Sequence, residues 1–300
     1  MALIFTTFFG FGKKLDKLGV TIALVACCVS VLISNDAHAS QIVYPVLLIC
    51  GGSLTLLDSY SSEPIGTYAN PLRRGASEQK LAATDRKLAY KIGMDYSHGI
   101  LMFVLWLGLL VGSRVLVERG VENVYLEIFE LFFRVGSLSF GGGVVIVPML
   151  QAEVVPKWMT DEQFFQGLAL SQSLPGPVFN YASFLGGTYA GFLGALVASV
   201  ALTGPGFILI YSTLPFWINL RGSAAFKAII QGLNASSIGM IGGSCVFLYA
   251  MSVKNAAGAI VFVLCAGLNA YYGVGAPQTI AAGAVVGALF STFSLGQVPY

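Results

Sequence analysis

Residues 133–143 read FRVGSLSFGGG, so three consecutive glycines follow an apolar run. The next apolar run, Val144–Val155, would measure about 18 Å as a helix with a rise of about 1.5 Å per residue. A bilayer hydrocarbon core is about 30 Å thick, so a helix of this length stops partway across it. We therefore predict a short helix whose first backbone N–H groups have no helical partners.

A second interruption, Pro175-Gly176-Pro177, precedes the apolar run that begins at Val178. The start of a helix carries partial positive charge on its unpaired N–H groups, and such groups bind anions. Irregular backbone at membrane depth occurs only where protein or a water-filled cavity covers it. Interrupted helices form the substrate sites of many transporters. We predict an anion site at the two interruptions, and the alternative is that these glycines only allow close packing of helices.

The predicted site combines backbone amides of the interruptions with the polar side chains beside them. Consecutive glycines let amides turn toward one ligand without a Cβ in the way. Neutral donors suit an ion that must also be released. The predicted substrate-binding residues are Arg134, Ser137, Ser139, Phe140, Gly141, Gly142, Gly143, Gln172, Pro175, Gly176, Pro177 and Asn180.

Three ionisable residues, Glu127, Glu130 and Arg134, lie in the apolar run before the first interruption. Glu130 and Arg134 are four residues apart, share a helix face and can form an ion pair. Ionisable side chains at membrane depth are functional candidates. We predict Glu127 and Glu130 as candidates for a coupling proton. The alternative is an interfacial amphipathic helix with a surface salt bridge.

The composition indicates a membrane protein. The 300 residues are 56% hydrophobic and 10% charged, with a mean hydropathy of +0.79, whereas soluble domains carry about 25% charged residues. A net charge of +2 and the lack of a basic run with interleaved aromatic residues exclude nucleic acid as a partner. No nucleophile–base, phosphate-loop, dinucleotide or metal motif is present in the sequence. We predict that the protein is not an enzyme and binds neither cofactor nor metal.

Long apolar segments predict an all-α polytopic integral membrane protein with about eight to ten hydrophobic helices, some of them broken. An N-terminal hairpin, 1–57, comprises the apolar segments Gly19–Ser34 and Gln41–Leu57. The predicted organisation continues with a polar loop at 58–97, a transmembrane helix at 98–117 and an interrupted region at 124–292. Further breaks are expected at Gly186-Gly187 and at Gly204-Pro205-Gly206, and 224–251 fits either one helix or two.

Lysine and arginine residues predict the topology. Lys13, Lys14 and Lys17 precede the first apolar segment, and six more such residues lie in the loop 58–97. Because the hairpin returns the chain to its starting side, both basic clusters lie on one side, which the positive-inside rule places in the cytoplasm. We expect insertion in the plasma membrane. The alternative for the N terminus is a signal peptide with a cleavage site at Ala37-His38-Ala39.

Several motifs in the second half of the chain resemble the chromate ion transporter family, and their order and spacing match over most of Val124–Phe290. They are FRVGSLSFGGG at 133–143, Pro148, Trp158-Met159-Thr160, GLALSQ at 167–172, Pro175-Gly176-Pro177 and Gly204-Pro205-Gly206. The resemblance implies export of chromate driven by the proton motive force, with sulfate as the structurally similar anion. We predict alternating access around an anion held at half-helix N termini.

Long members of that family have two homologous halves of opposite orientation, and each half carries the motifs. This chain has one pair of motifs, and its N-terminal hairpin resembles the remnant of a first repeat. The expected partners are therefore a small inorganic oxyanion, the lipid bilayer, and a second copy or a partner half. The alternative function is a non-transporting membrane subunit or a truncated half-transporter that needs a partner.

Overall fold

A computed structural model describes residues 10, 12, 15–34, 36–61, 95–139, 142–155, 157–174, 179–220 and 223–293. Over these residues the protein is all-α, which confirms the predicted fold class. The described helices are α1 Lys17–Ile33, α2 Ala37–Ser59, α3 Tyr96–Glu118, α4 Val124–Leu138, α5 Ile146–Val154, α6 Asp161–Ser173, α7 Asn180–Leu220, α8 Ala224–Ser252, α9 Ala256–Tyr272 and α10 Ala276–Thr292.

Four helical segments are long and apolar enough to cross a membrane. They are Gln41–Ser59 within α2, the whole of α3, Asn180–Trp217 within α7, and α8, and the shorter helices α1, α9 and α10 are also apolar. The large apolar side chains of α3 are mostly exposed, as lipid contact requires. These features confirm a polytopic membrane protein. The ends of α1, α2 and α3 differ from the predicted apolar segments by a few residues.

The described residues pack into two compact units that alternate along the chain. One unit comprises the described parts of 1–44, 140–178 and 235–300, and the other those of 45–139 and 179–234. The first contains α1, α5, α6, α9 and α10, and the second contains α3, α4 and α7. Helices α2 and α8 contribute to both, so the N-terminal hairpin 1–57 stays a prediction as a separate domain.

In the first unit, α9 packs against α10, and Gln41 of α2 donates a hydrogen bond to Glu153 of α5. Helix α6 begins with a capping box: the Gln163 N–H donates to Thr160 Oγ1 at 3.3 Å, and the Thr160 N–H donates to Gln163 Oε1 at 3.1 Å. These bonds satisfy two donors that a helix start leaves unpaired.

In the second unit, α4 packs against α7, and α3 packs against both. Helix α7 is a hairpin, because its backbone leaves helical geometry at Ala190 (φ −137°, ψ 27°) and Gly191 (φ 66°, ψ −158°). The hydroxyls of Ser183 and Ser199 are 2.6 Å apart, whereas a straight helix would separate residues sixteen positions apart by about 24 Å. The chain therefore reverses between a short arm, 180–189, and a long arm, 192–220.

The predicted break at Gly186-Gly187 was wrong. Gly186 lies inside the short arm, where a Cβ would overlap the Gly194 carbonyl and lie 2.6 Å from the Ala198 Cβ. This glycine allows the two arms to approach closely, and the reversal occurs at Gly191, whose positive φ suits glycine.

The predicted break at Gly204-Pro205-Gly206 was also wrong, because the long arm of α7 continues through Pro205 and Pro215. Each proline removes one N–H donor, and membrane helices tolerate this loss where neighbouring groups satisfy the freed carbonyl. The long arm of α7 therefore contains a glycine–proline cluster without ending at it.

Helix α8 is one continuous helix, and its glycines lie at helix contacts. In the second unit, a Cβ at Gly232 would overlap the Gly51 carbonyl of α2. In the first unit, a Cβ at Gly239 would overlap the Ala23 carbonyl of α1, and one at Gly243 would lie 2.5 Å from the Ser30 Cβ. For these glycines the packing interpretation holds.

Gly239→Val is expected to destabilise the protein by about 1–3 kcal/mol, because the added side chain must push α1 away from α8. A Cβ at Gly239 would also lie 2.7 Å from the Ala26 Cβ. Gly267→Val in α9 is the matched control, since a Cβ there meets nothing within 4 Å. Thermal unfolding of the purified protein in detergent measures the effect, and equal melting temperatures for the two variants would contradict the contact.

Candidate functional site

The first interruption lies between α4 and α5. Helix α4 ends at Leu138, and Ser139 is extended with φ −80° and ψ 99°. Helix α5 has nine residues, about 14 Å in length, which confirms a helix too short to cross a membrane. Five predicted site residues lie outside the described part of the chain: Phe140, Gly141, Pro175, Gly176 and Pro177.

Gly142 has a backbone conformation that favours glycine. Its φ is 101°, and a Cβ built on it would meet no atom of the described residues within 4 Å. A side chain at this position would therefore strain the backbone and extend into open space. Gly143 follows in the turn that leads into α5.

The amides at the start of α5 are not all unpaired, which corrects part of the prediction. The Val145 N–H donates to the Gly142 carbonyl at 3.2 Å, and the Val147 N–H donates to the Val144 carbonyl at 3.3 Å. A tight turn satisfies these two donors locally. No side-chain hydrogen bond caps α5 at its N-cap residue, Val145.

Ser137 and Ser139 differ in hydrogen bonding. The Ser137 hydroxyl donates to the Phe133 carbonyl at 2.7 Å and accepts from Trp106 Nε1 at 3.0 Å, so its proton is already used. The Ser139 hydroxyl oxygen is buried and has no hydrogen-bond partner among the residues that the structure describes. Burying a hydroxyl without a partner is unfavourable, so this group favours a ligand at Ser139 over one at Ser137.

A second buried hydroxyl, that of Ser30, also lacks a partner within the described ranges. Its Cβ faces Gly243 in the close contact of α1 with α8. Ser30 therefore lies in a close contact between two helices, whereas Ser139 immediately follows the end of a helix. The chain position of Ser139 therefore distinguishes the two.

Glu130 and Arg134 form the predicted i, i+4 ion pair, with Arg134 Nε 2.6 Å from Glu130 Oε1 and Nη2 3.4 Å from Oε2. The pair is buried, with 4% of Glu130 and 9% of Arg134 exposed, so the alternative of a surface salt bridge is wrong. Two nitrogens of the guanidinium contact the Glu130 carboxylate, so Arg134 neutralises this buried charge. Its predicted role in binding the anion stays a proposal.

Arg114 of α3 joins this cluster, with Nη1 3.5 Å from Glu130 Oε1 and Nε 2.8 Å from Glu118. Neither Arg114 nor Trp106 was predicted from the sequence, because neither residue lies beside an interruption. The available signal was a polar or aromatic side chain inside the otherwise apolar segment 98–117.

The remaining predicted residues are placed by α4 and the hairpin α7. The Tyr189 hydroxyl, at the end of the short arm, donates to Glu127 Oε2 at 3.3 Å. From this contact, Ser137 lies about 15 Å along α4 and Asn180 about 14 Å along the short arm. The end of α4 and the start of α7 therefore lie at about the same level within the second unit.

A second contact supports the same level, because a Cβ at Gly136 would overlap the Leu202 carbonyl of the long arm. Asn180 is exposed at the start of its arm. Gln172 is half-buried near the end of α6 and belongs to the first unit. Thus the second unit brings the polar residues at the end of α4 level with Asn180.

Apolar helices that are short or folded back, together with a buried ion-pair cluster, are features of polytopic membrane transporters. Residues 126–288, more than half of the chain, match the family model described as Chromate transporter. The chain belongs to the chromate transporter family, as the resemblance of its motifs predicted.

Curated relatives match parts of the chain. A chromate transport protein of Cupriavidus metallidurans is 30% identical over 164 residues, which are 54% of this chain and 41% of the relative. One of Pseudomonas aeruginosa is 33% identical over 143 residues, 46% and 33% of the two chains. An uncharacterised transporter of Methanocaldococcus jannaschii is 30% identical over 128 residues, 42% and 32% of the two chains.

The matched region covers only about a third to two fifths of the length of these relatives, namely 41%, 33% and 32%. No solved structure matches the chain.

Proposed function

We propose that this protein transports a small inorganic oxyanion across the plasma membrane, with chromate as the first candidate substrate and export as the direction. Family membership supports transport, and two relatives are named as chromate transport proteins. Sulfate is the second candidate because it shares the charge and tetrahedral shape of chromate. The proposed topology has the N terminus and residues 58–97 in the cytoplasm.

The Ser139 hydroxyl, which is buried and has no partner among the described residues, is the observation that carries this proposal. It lies just past the end of α4, at about the level where α7 begins with Asn180. An oxyanion accepts hydrogen bonds from such neutral donors without being trapped by a fixed charge. The proposed ligands in the second unit are Ser139 and Asn180.

The glycine-rich segment adds a separate proposal in the first unit. The conformation of Gly142 and the open space beside it support backbone donors at Gly142 and Gly143. Phe140, Gly141, Gln172 and the Pro175-Gly176-Pro177 motif keep their predicted roles as proposals. The transport mechanism proposed for them is alternating access at the interrupted helices.

Proton coupling is proposed to involve Glu127 or Glu130. Glu127 accepts a hydrogen bond from Tyr189 at the end of the hairpin, and Glu130 forms ion pairs with arginines of two helices. Motion of the hairpin would change the environment of Glu127 directly. Ionisable residues in such positions are common in proton-coupled transporters.

Ser139→Ala is expected to raise the KM for oxyanion flux about three- to tenfold, the loss of one hydrogen bond. The assay is uptake of labelled chromate and sulfate by proteoliposomes in which the cytoplasmic face of the purified protein is on the outside. Ser212→Ala is the matched control, because the Ser212 hydroxyl is buried in the same unit and donates locally to the Leu209 carbonyl at 2.9 Å. We expect this control to change the KM less than about twofold.

Two outcomes would contradict the proposal. Equal KM values for Ser139→Ala and Ser212→Ala would exclude Ser139 as a ligand. An absence of flux in wild-type proteoliposomes would exclude transport by this chain alone and favour the alternative of a subunit that needs a partner.

A further inference from the structure

Two polar contacts hold α3 against α4. Trp106 Nε1 donates to the Ser137 hydroxyl at 3.0 Å, and Arg114 Nη1 lies 3.5 Å from Glu130 Oε1. The contacts are eight residues apart on α3 and seven residues apart, in the opposite direction, on α4. The opposite residue order shows that the two helices are antiparallel. The spacings correspond to about 12 Å along α3 and 11 Å along α4, so both polar contacts can form at the same time.

Helix α3 lies outside the segment 126–288 that matches the family model. Burial of apolar surface drives helix association only weakly in lipid, because lipid tails are as apolar as leucine side chains. Side-chain hydrogen bonds and ion pairs therefore act together with close packing to set the register of two helices. Trp106 and Arg114 are the side chains of α3 that form such contacts with α4 among the bonds recorded for the described residues.

Each contact acts on a residue close to the interruption or to the buried ion pair. Trp106 donates a hydrogen bond to the hydroxyl of Ser137, two residues before Ser139, and thereby holds the last turn of α4. Arg114 gives Glu130 a second cation from another helix, in addition to Arg134. The rotation and depth of the end of α4 therefore depend on α3.

We propose that Trp106 and Arg114 are positioning residues for oxyanion transport, acting through Ser137 and Glu130 to place Ser139 at the interruption. This inference rests on the proposed function. It also assigns α3 a role within the transport unit, beyond that of a spacer before the family segment.

Trp106→Phe removes the donor and keeps an aromatic ring, which lies 5.3 Å from the ring of Phe103 in the native protein. We expect the KM for labelled chromate or sulfate to rise about three- to tenfold in proteoliposomes. Trp217→Phe is the matched control, because it makes the same change in α7, where the indole packs against Phe226. Its KM is expected to stay within about twofold of wild type.

A double-variant cycle separates positioning from a general structural effect. If Trp106 acts through Ser137, adding Trp106→Phe to Ser137→Ala changes the KM less than about twofold, because the bond is already lost. Independent structural damage would instead multiply the two effects or lower the maximal flux without changing the KM. Either of those results, or equal KM values for Trp106→Phe and Trp217→Phe, would overturn the role of Trp106.

The role of Arg114 is tested by conservative rescue. Arg114→Gln is expected to raise the KM severalfold, and Arg114→Lys is expected to recover part of the loss because a cation remains near Glu130. Glu118→Gln is the control, since it removes only the exposed partner of Arg114. A KM for Arg114→Gln equal to that of Glu118→Gln would overturn this role.

Failure of the positioning proposal is distinguishable from failure of the proposed function. Wild-type flux with unchanged KM values in Trp106→Phe and Arg114→Gln would refute positioning and leave transport intact. No flux in the wild-type protein would refute transport itself.

Discussion

Gly142→Leu is expected to abolish oxyanion transport while the protein still folds and reaches the membrane. The backbone at Gly142 has a φ of 101°, which strains any residue with a Cβ, and the added side chain would occupy the open space beside it. In the proposed site the anion occupies this space and accepts hydrogen bonds from the nearby backbone amides. Tracer flux in proteoliposomes, normalised to the reconstituted protein, measures the loss.

Gly108→Leu is the matched control for this change. Gly108 is exposed in α3, and a Cβ there also meets nothing within 4 Å, but its backbone is helical. We expect this variant to transport at close to the wild-type rate. Persistent transport in Gly142→Leu would place the anion site elsewhere in the protein.

Glu130→Ala is expected to destabilise the folded protein by about 3–5 kcal/mol, the cost of removing one member of a buried ion pair. The side chains of Glu130 and Arg134 are 5% and 11% exposed, so water cannot replace the carboxylate effectively. The change would also remove the carboxylate that neutralises the like charges of Arg134 and Arg114, both of which contact Glu130 Oε1. Thermal unfolding in detergent is expected to show a strongly lowered melting temperature.

A paired substitution distinguishes lost pairing from lost volume. Glu130→Gln combined with Arg134→Gln removes both charges, and it is expected to recover a large part of the stability that Glu130→Ala loses. Glu118→Gln is the control, because Glu118 is 60% exposed in its pair with Arg114. An unchanged melting temperature for Glu130→Ala would contradict a buried ion pair.

The positions of most helices and of the first interruption were predictable from composition along the chain. Helices α1, α2 and α3 follow the apolar segments, and α5 is the expected short helix after the glycines. The Glu130–Arg134 pair followed from helical spacing alone. Such features depend on neighbours within one or two helical turns, and local sequence describes those neighbours fully.

The structural roles of individual glycines and prolines were not predictable from the local sequence. Gly186 allows two arms of α7 to touch, Gly191 reverses the chain between them, and Pro205 stays inside a helix. All three occur in similar apolar surroundings. What separates them is the surface that each residue meets in the folded protein, and only Gly191 has the positive φ that identifies a turn.

Consecutive apolar residues were therefore enough to establish a helical membrane protein, because spanning about 30 Å of hydrocarbon needs about 20 of them. The partners of polar groups needed the folded arrangement. Trp106 donates a hydrogen bond to the Ser137 hydroxyl from 31 residues away, and Arg114 of α3 contacts Glu130 of α4. The Ser139 hydroxyl has no partner among the described residues. Helix register sets these contacts, and in lipid it follows from side-chain packing and hydrogen bonds between helices that no single segment encodes.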